Sequence, residues 1–397
     1  MTKKKSVFRM MVITVLLGIG MNFHHPVTPT LYTAMELPSR IFGTSMAVMC
    51  FFSFLTSVFW GEFSNHIGRV KVFTISCVCY GLAQLSLGFS ASELAVLISR
   101  GAAGAFSGGA IVATMAYVID VSEPSKQASN LAVYTAMQSV SLAVGYLLGG
   151  MLGTIHFQLA FNVQAAWMIL LGLGTSFFVE DSIVDPQTVK PRELLKTVNP
   201  FNSFASARSL MSTVMILFLI VVFLTGFATN CHENAFNYFL KAELDFKPIY
   251  NGLIKAVIGV IGLIANFSIN LWIIRRTDAK KSLIVVLALC ALTAAGALIP
   301  GNLTLFIAMN LAFFTANAVY QPITQALSVE GRKNNEVGII TGLFNAIKSM
   351  GNVLGSLAAG IVYDLNMLFP FMLSAGAFAL SAAAAWAYWR SAKRPQL

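Results

Sequence analysis

Along this chain apolar positions gather into long runs separated by short polar stretches. A bilayer crossing needs about 20 mostly apolar residues, and twelve runs reach that length: roughly 8–33, 42–62, 70–90, 94–119, 130–153, 161–180, 211–238, 249–274, 281–300, 303–328, 338–362 and 369–390. The pattern predicts an all-α membrane protein with twelve transmembrane helices. The first run is too long for a signal peptide and lacks a small-residue cleavage site, so it reads as helix 1. Composition agrees: 11% of the residues are charged, 57% are hydrophobic and the mean hydropathy is +0.74, more than a water-soluble domain of this length could hide in one core.

The basic residues orient the helices. With the N-terminus inside, "TKKK" with Arg9, Arg69 with Lys71, Lys126, the central Lys190, Arg192, Lys196 and Arg208, "RRTDAKK", Arg332 with Lys333, and Arg390, Lys393 and Arg394 are all cytoplasmic. These are 20 of the 26 lysines and arginines, as the positive-inside rule expects. The net charge of +10 then reflects topology and contact with anionic lipid headgroups, and implies no nucleic acid. Trp60, Trp272, Trp386 and Trp389 fall at predicted cytoplasmic helix ends, where an interfacial aromatic belt is expected. The five cysteines have no metal-ligand spacing and read as small apolar side chains.

The longest polar stretch, residues 181–210, divides the chain into an N-terminal six-helix bundle (1–180) and a C-terminal one (211–397), with 181–210 as a cytoplasmic linker. The halves carry a repeat. "IFGTSMAV" (41–48) falls on "YNGLIKAV" (250–257) at a shift of 209 residues, and "VGYLLGGMLG" (144–153) on "LGSLAAGIVY" (354–363) at a shift of 210. Asp120 falls on Glu330. A duplicated six-helix unit, related by a pseudo-twofold axis with a site near the bilayer midplane, points to transport.

The stretch "GEFSNHIGRVKV" (61–72) resembles the loop signature of the major facilitator superfamily, G-x-L-a-D-r-x-G-r-k. Gly61, Gly68 and Arg69 match; Asn65 stands for the usual Asp and His66 for the usual Arg. "LISRGAAGAFSGG" (97–109) resembles the helix 4 pattern of the twelve-helix drug:proton antiporters, with Arg100 as its intramembrane arginine. "GYLLGGMLG" (145–153) resembles their helix 5 pattern G-P-x-x-G-G, with Tyr146 where proline is common. The resemblance implies the two-bundle fold of that superfamily, and a conformational latch formed by Gly61, Asn65, Gly68, Arg69 and Asp120 that breaks as the halves rock. The same latch charges also read as plain solvated loop residues.

A lysine or arginine at the bilayer centre costs about 2.5–3.5 kcal/mol even on insertion scales. Lys348, in "FNAIKSMGNVLG" (344–355), is mid-span and needs a wet cavity or an acidic partner. Arg100 and Lys255 lie nearer the outer third, where Lys255 either snorkels to the headgroups or faces the same cavity. Lys348, Arg100, Lys255, Tyr134, Gln138 and Phe344 are therefore the expected substrate-binding residues. Glu233, in "TNCHENAFNYF", is the best acidic residue for the interior, and at a shift of 209 it falls on His24 of "MNFHHPVTP". Glu233, His24 and His25 are the expected proton-coupling residues, because histidine titrates near neutrality and desolvation raises a glutamate toward it. Pro26 and Pro29 should break helix 1 beside them and free carbonyls toward the cavity.

A net-positive cavity should attract an anionic group. The function expected is export of a small amphipathic compound, anionic or zwitterionic, a drug or a metabolite such as a metallophore, in exchange for protons by alternating access. The alternative is proton-coupled uptake of an organic anion whose carboxylate Arg100 and Lys348 would clamp. A non-transporting sensor or a membrane enzyme stands behind both: no loop outside the linker could hold a catalytic domain, and there is no nucleophile elbow, phosphate loop or metal cluster. A filter-like channel loop is also missing. The expected partners are a small-molecule substrate, protons and membrane lipid, with no cofactor. The expected protein is a monomer, multi-pass in the cell membrane with both termini cytoplasmic.

Overall fold

The computed structural model describes residues 3–123, 126–182, 211–298, 302–330 and 334–393. The linker cations Lys190, Arg192, Lys196 and Arg208, with Arg332, Lys333 and Arg394, lie outside these residues. The described chain is helical. α1 (Lys3–Asn22) and α2 (Thr28–Ala34) make the first crossing, followed by α3 (Arg40–Ile67), α4 (Arg69–Gly88), α5 (Glu93–Val121), α6 (Gln127–Ile155) and α7 (Phe157–Phe178). The second six crossings are α8 (Thr213–Ala242), α9 (Pro248–Ala265) continued by a π-turn (Asn266–Asn270) into α10 (Leu271–Arg276), α11 (Ala279–Gly296), α12 (Leu303–Val329), α13 (Asn334–Tyr363) and α14 (Phe369–Lys393).

Ten of the described crossings are long and apolar enough to span a bilayer. The first falls short because its apolar helix is cut to Val7–Asn22. The eleventh, α13, falls short because Lys348, Asn352 and its glycines dilute it. The cut follows from proline chemistry: Pro26 has no N–H to continue α1, and Pro29 opens α2 with its fixed φ. The carbonyls so freed were expected to face a cavity. Two carbonyls beside the break are taken by neighbouring helices, Gly20 O by Gln164 Nε2 (2.7 Å) and Met21 O by Tyr80 Oη (3.2 Å). His24 O accepts locally from Val27 N, Thr28 N and Thr28 Oγ1. A bare carbonyl in a dry bundle is costly, so side chains of α4 and α7 close on it.

Helix starts elsewhere carry side-chain caps: Ser92 accepts from Ala95 N, Asp278 from Lys280 N and Lys281 N, and Asn302 from Leu305 N. Trp60, expected in an interfacial belt, is 8% exposed and donates its indole N–H to Ala105 O of α5 (2.7 Å). Trp272 and Trp386 are exposed, as a belt requires.

Compactness divides the chain into two units that cut across the sequence halves. The first holds the chain to Leu37, from Val48 to the linker, and Asn237–Gly259; the second holds Pro38–Ala47, the chain from the linker to Phe236, and all from Val260. In the first unit α4 packs on α5 and α7, and α1 on α6; in the second, α11 packs on α12 and α14. Leu17, Phe73, Tyr80, Tyr117 and Met168 are among the side chains that fill the first core.

Within each unit glycines let helix backbones touch. In the first, a Cβ added to Gly252 of α9 would stand 2.6 Å from Tyr146 O of α6, and one added to Gly150 of α6 would stand 2.7 Å from Pro248 O. In the second, a Cβ on Gly360 of α13 would stand 2.5 Å from Arg40 O and 3.1 Å from Gly43 Cα of α3. Small residues are what such an approach demands in a membrane. On its other face α6 meets α1, where a Cβ on Gly149 would collide with the carbonyl of Phe23.

Gly149→Ala should therefore destabilise the protein by about 1–3 kcal/mol through overpacking. Gly376→Ala on α14, with nothing within 4 Å of its added methyl, should be neutral or gain up to about 1 kcal/mol from helix propensity. Unfolding of the detergent-solubilised variants measures both, and equal effects would remove the packing role assigned to Gly149.

Candidate functional site

The α3–α4 turn is built around Gly68, whose φ of 108° is open to glycine and strained for other residues. Asp181, just after α7, caps the start of α4: Arg69 N donates to its Oδ1 (2.8 Å) and Val70 N to its Oδ2 (3.0 Å). Arg69 Nε donates to Asp120 Oδ2 at the end of α5 (3.0 Å), and its Nη1 reaches Gly61 O (3.4 Å) and Ser64 Oγ. Asn65, in the usual place of an acid, is exposed and bonds Glu62 Oε2 (3.2 Å). Asp181 is thus the acidic group that meets the helix start, and nothing in "GEFSNHIGRVKV" indicates it.

The second unit repeats the ion pair. Lys280 Nζ lies 2.8 Å from Glu330 Oε2, joining the start of α11 to the end of α12 as Arg69 joins α4 to α5. Sequence reasoning matched Asp120 with Glu330 and missed Lys280, because the repeat shift drifts to 211 at that position. Asp278 caps α11 beside it. Partial burial pushes its carboxyl up, but the N–H donors of Lys281, Trp389 and Lys280 outweigh that and hold it below the usual carboxylate range.

Arg100 of α5 is 0% exposed. Its Nη2 donates to Thr28 Oγ1 (2.8 Å), its Nε to Tyr32 Oη (3.2 Å) and its Nη1 to Met49 Sδ (3.6 Å), all neutral acceptors. Lys255 of α9 is 2% exposed, which ends the snorkelling alternative, and its Nζ sits 5.6 Å from the ring centre of Tyr146. His25 stacks on the same tyrosine at 5.2 Å with ring planes 3° apart. Tyr146, noted in the sequence only as a departure from proline, thus ties the α1–α2 turn and α9 to α6.

Lys348 is half-buried on α13. Among the described residues its side chain has no hydrogen-bond or ion-pair partner. The exposed apolar face of α13 carries Met350, Leu354 and Ile361; at about 100° per residue, Lys348 points roughly the opposite way. Phe344, one turn before it, is buried and stacks on Phe218 at 6.3 Å. In the first unit Gln138 Nε2 donates to Tyr134 Oη (2.9 Å).

His24 is fully buried. Gln164 Nε2 is fixed by its bond to Gly20 O, so it also presents N–H to His24 Nδ1 at 3.2 Å. Nδ1 therefore accepts, and in the neutral ring the hydrogen sits on Nε2, which has no hydrogen-bond partner among the described residues. Glu233 lies within α8, which runs on to Ala242. One turn earlier on α8, Thr229 Oγ1 meets Tyr320 Oη (2.8 Å) and Asn317 Nδ2 (2.9 Å) of α12. Neighbouring His232 is a core residue: it is buried, its Nε2 is 2.8 Å from Asn310 Oδ1, and its ring lies 3.7 Å from that of Phe313. The sequence reading overlooked these α12 partners, which a helix-face comparison of 310, 313, 317 and 320 could have found.

The family model described as "Major Facilitator Superfamily" matches residues 10–354. Multidrug resistance protein 2 of Bacillus subtilis is 22% identical over 370 residues, covering 91% of this chain and 89% of that protein. The class H tetracycline resistance protein of Pasteurella multocida is 22% identical over 376 residues, 92% of this chain and 90% of that one. A bacterial homologue of the human lysosomal transporter Spinster superposes with a TM-score of 0.79 at 14% identity, over 98% of this chain and 97% of its own.

Asp181→Ala should cost about 0.5–2 kcal/mol, the loss expected for a helix N-cap, while Asn65→Ala should stay within about 0.5 kcal/mol. Chemical unfolding of the two variants compares them; an indifferent Asp181→Ala would show that the cap is dispensable.

Proposed function

Because the chain belongs to the major facilitator superfamily, a family of membrane transporters rather than enzymes, we propose that it exports a small amphipathic, anionic or zwitterionic compound in exchange for protons by alternating access. The export direction follows the relatives, named for multidrug and tetracycline resistance. The observation that carries the substrate charge is Lys348. Its ammonium, turned from the exposed apolar side of α13 and without a hydrogen-bond or ion-pair partner among the described residues, is stable only where it is hydrated or meets an anion.

In this reading two six-helix bundles, 1–180 and 211–397, rock about a midplane chamber, with the termini and linker in the cytoplasm as the 20 basic residues there require. Lys348 and Phe344 are the substrate-binding residues of the second bundle, and Tyr134 and Gln138 those of the first. Arg100, engaged by Thr28 and Tyr32, supports the first bundle's wall. Glu233 and the His24–His25 pair exchange the proton, and the unpartnered Nε2 of His24 is the atom at which the hydrogen is held. The Arg69–Asp120 pair, mirrored by Lys280–Glu330, latches the cytoplasmic ends and breaks as the bundles tilt.

The same cation would suit uptake of an organic anion, and the direction of net flux in everted vesicles separates the two. Lys348→Ala and Glu233→Gln should each abolish substrate-driven proton flux in proteoliposomes while leaving the thermal midpoint unchanged. Unaltered flux in both variants would remove the roles given to these residues.

A further inference from the structure

The end of the second unit at which α11 starts and α14 stops gathers cations around indole rings. Lys281 Nζ of α11 lies 5.4 Å from the ring centre of Trp389, and Lys393 Nζ of α14 lies 4.3 Å from the same centre. Beside them on α14, the guanidinium carbon of Arg390 lies 4.0 Å from the ring centre of Trp386. Among the described residues Lys281, Arg390 and Lys393 have no ion-pair partner, whereas neighbouring Lys280 has Glu330. Asp278 is the acid within the cluster, and neutral donors take its oxygens. Oδ1 accepts from the backbone N–H groups of Lys280 and Lys281, and Oδ2 accepts from Trp389 Nε1 at 3.2 Å, which fixes the indole. Three cations against one carboxylate leave the cluster positive.

The duplicated scaffold does not require this. The shift of 211 that pairs Arg69 with Lys280 pairs Val70 with Lys281. The last turn of α7 has no basic residue, where that of α14 has Arg390 and Lys393. Near the end of α7 the guanidinium of Arg9 is used within the chain, its Nη1 donating to Phe178 O at 3.2 Å.

We infer that this cluster is a binding site for the headgroup of an anionic phospholipid, whose phosphate oxygens accept from Lys281, Arg390 and Lys393. A contact between an exposed cation and a ring is weak and does nothing for the repulsion of two ammonium groups that share one indole. A phosphate relieves that repulsion and forms charge-assisted hydrogen bonds with both. A guanidinium lying over a ring keeps its N–H donors in its own plane, turned outward, the arrangement that meets phosphate oxygens in pairs. The occupant is a lipid rather than a soluble anion because each cation heads an apolar stripe. At about 100° per residue, exposed Val285, Leu289 and Leu292 share the face of Lys281, and exposed Leu380 and Trp386 share the face of Arg390. Both helices are long and apolar enough to span a bilayer and they pack on each other, so acyl chains follow the stripes while the headgroup joins the start of α11 to the end of α14. The site lies wholly within the second unit and is independent of the transport reading.

Native mass spectrometry of the full chain in detergent, titrated with a phosphatidylglycerol and with a phosphatidylcholine of the same acyl chains, reads the site. The parent protein should retain the phosphatidylglycerol in preference. Lys281→Gln and Lys393→Gln should each weaken its binding about fivefold, the worth of one cation at an anionic surface, and Lys393→Arg should keep it. Both lysines are exposed, so these variants fold as the parent does. Lys71→Gln, which removes an exposed lysine at the start of α4 in the other unit, should change nothing. Equal binding of the two lipids by the parent would overturn the inference, and so would an equal loss in Lys71→Gln, which marks diffuse surface charge. Displacement of the lipid by inorganic phosphate at matched concentration would overturn the choice of a lipid as occupant.

Discussion

A charged side chain in the middle of a membrane has to be turned from the lipid, and that constraint organises the interior of this protein. Arg100, Lys255 and Lys348 sit within crossings whose lipid faces are lined by apolar side chains such as Ile98, Val257 and Leu354. Each meets the constraint in a different way. Arg100 is enclosed by neutral oxygen and sulfur acceptors, Lys255 by an aromatic ring, and Lys348 by neither. In the proposed reading the three environments go with three kinds of work. A satisfied arginine braces a bundle, a lysine held dry against a ring ties two helices, and a lysine left without a partner belongs where a ligand or water comes and goes.

The second organising element is backbone approach through glycine. Without a hydrophobic force between helices in lipid, close packing of small residues is the main source of specific association. Among the several such approaches here, the α6–α9 and α3–α13 seams are related by the repeat. Because the frameworks are equivalent, the differences between Tyr146 and Ser356, and between Lys255 and Met46, stand out as departures that packing alone does not require. Duplication supplies the scaffold, and divergence of a few side chains supplies asymmetry between its halves.

The polar ends of the helices follow a similar logic. Arg69 with Asp120, and Lys280 with Glu330, each join the start of one helix to the end of the next at partly exposed positions, where an ion pair contributes up to about 1 kcal/mol. In the proposed cycle, contacts of that strength suit a junction that breaks and re-forms. Asp181 and Asp278, which accept backbone N–H groups at helix starts, serve instead to fix where α4 and α11 begin.

The sequence by itself determined the helical class, the twelve crossings and the repeat. Through the resemblance of its loop motif it also pointed to Gly68, Arg69 and Asp120 as one junction, and it marked Lys348 as a charge in mid-span. Those properties depend on hydropathy, local periodicity and short spacings, which are one-dimensional. Only the tertiary structure decided how carbonyls beside the Pro26 break are met, that Trp60 is core rather than belt, that Asp181 caps the start of α4, and that Tyr146 joins His25 to Lys255. Each of these is a meeting of residues tens to more than a hundred positions apart. A side chain's partner across a helix interface depends on rotation about the helix axis, where one residue of error turns it by about 100°, so a pattern of apolar runs does not contain it.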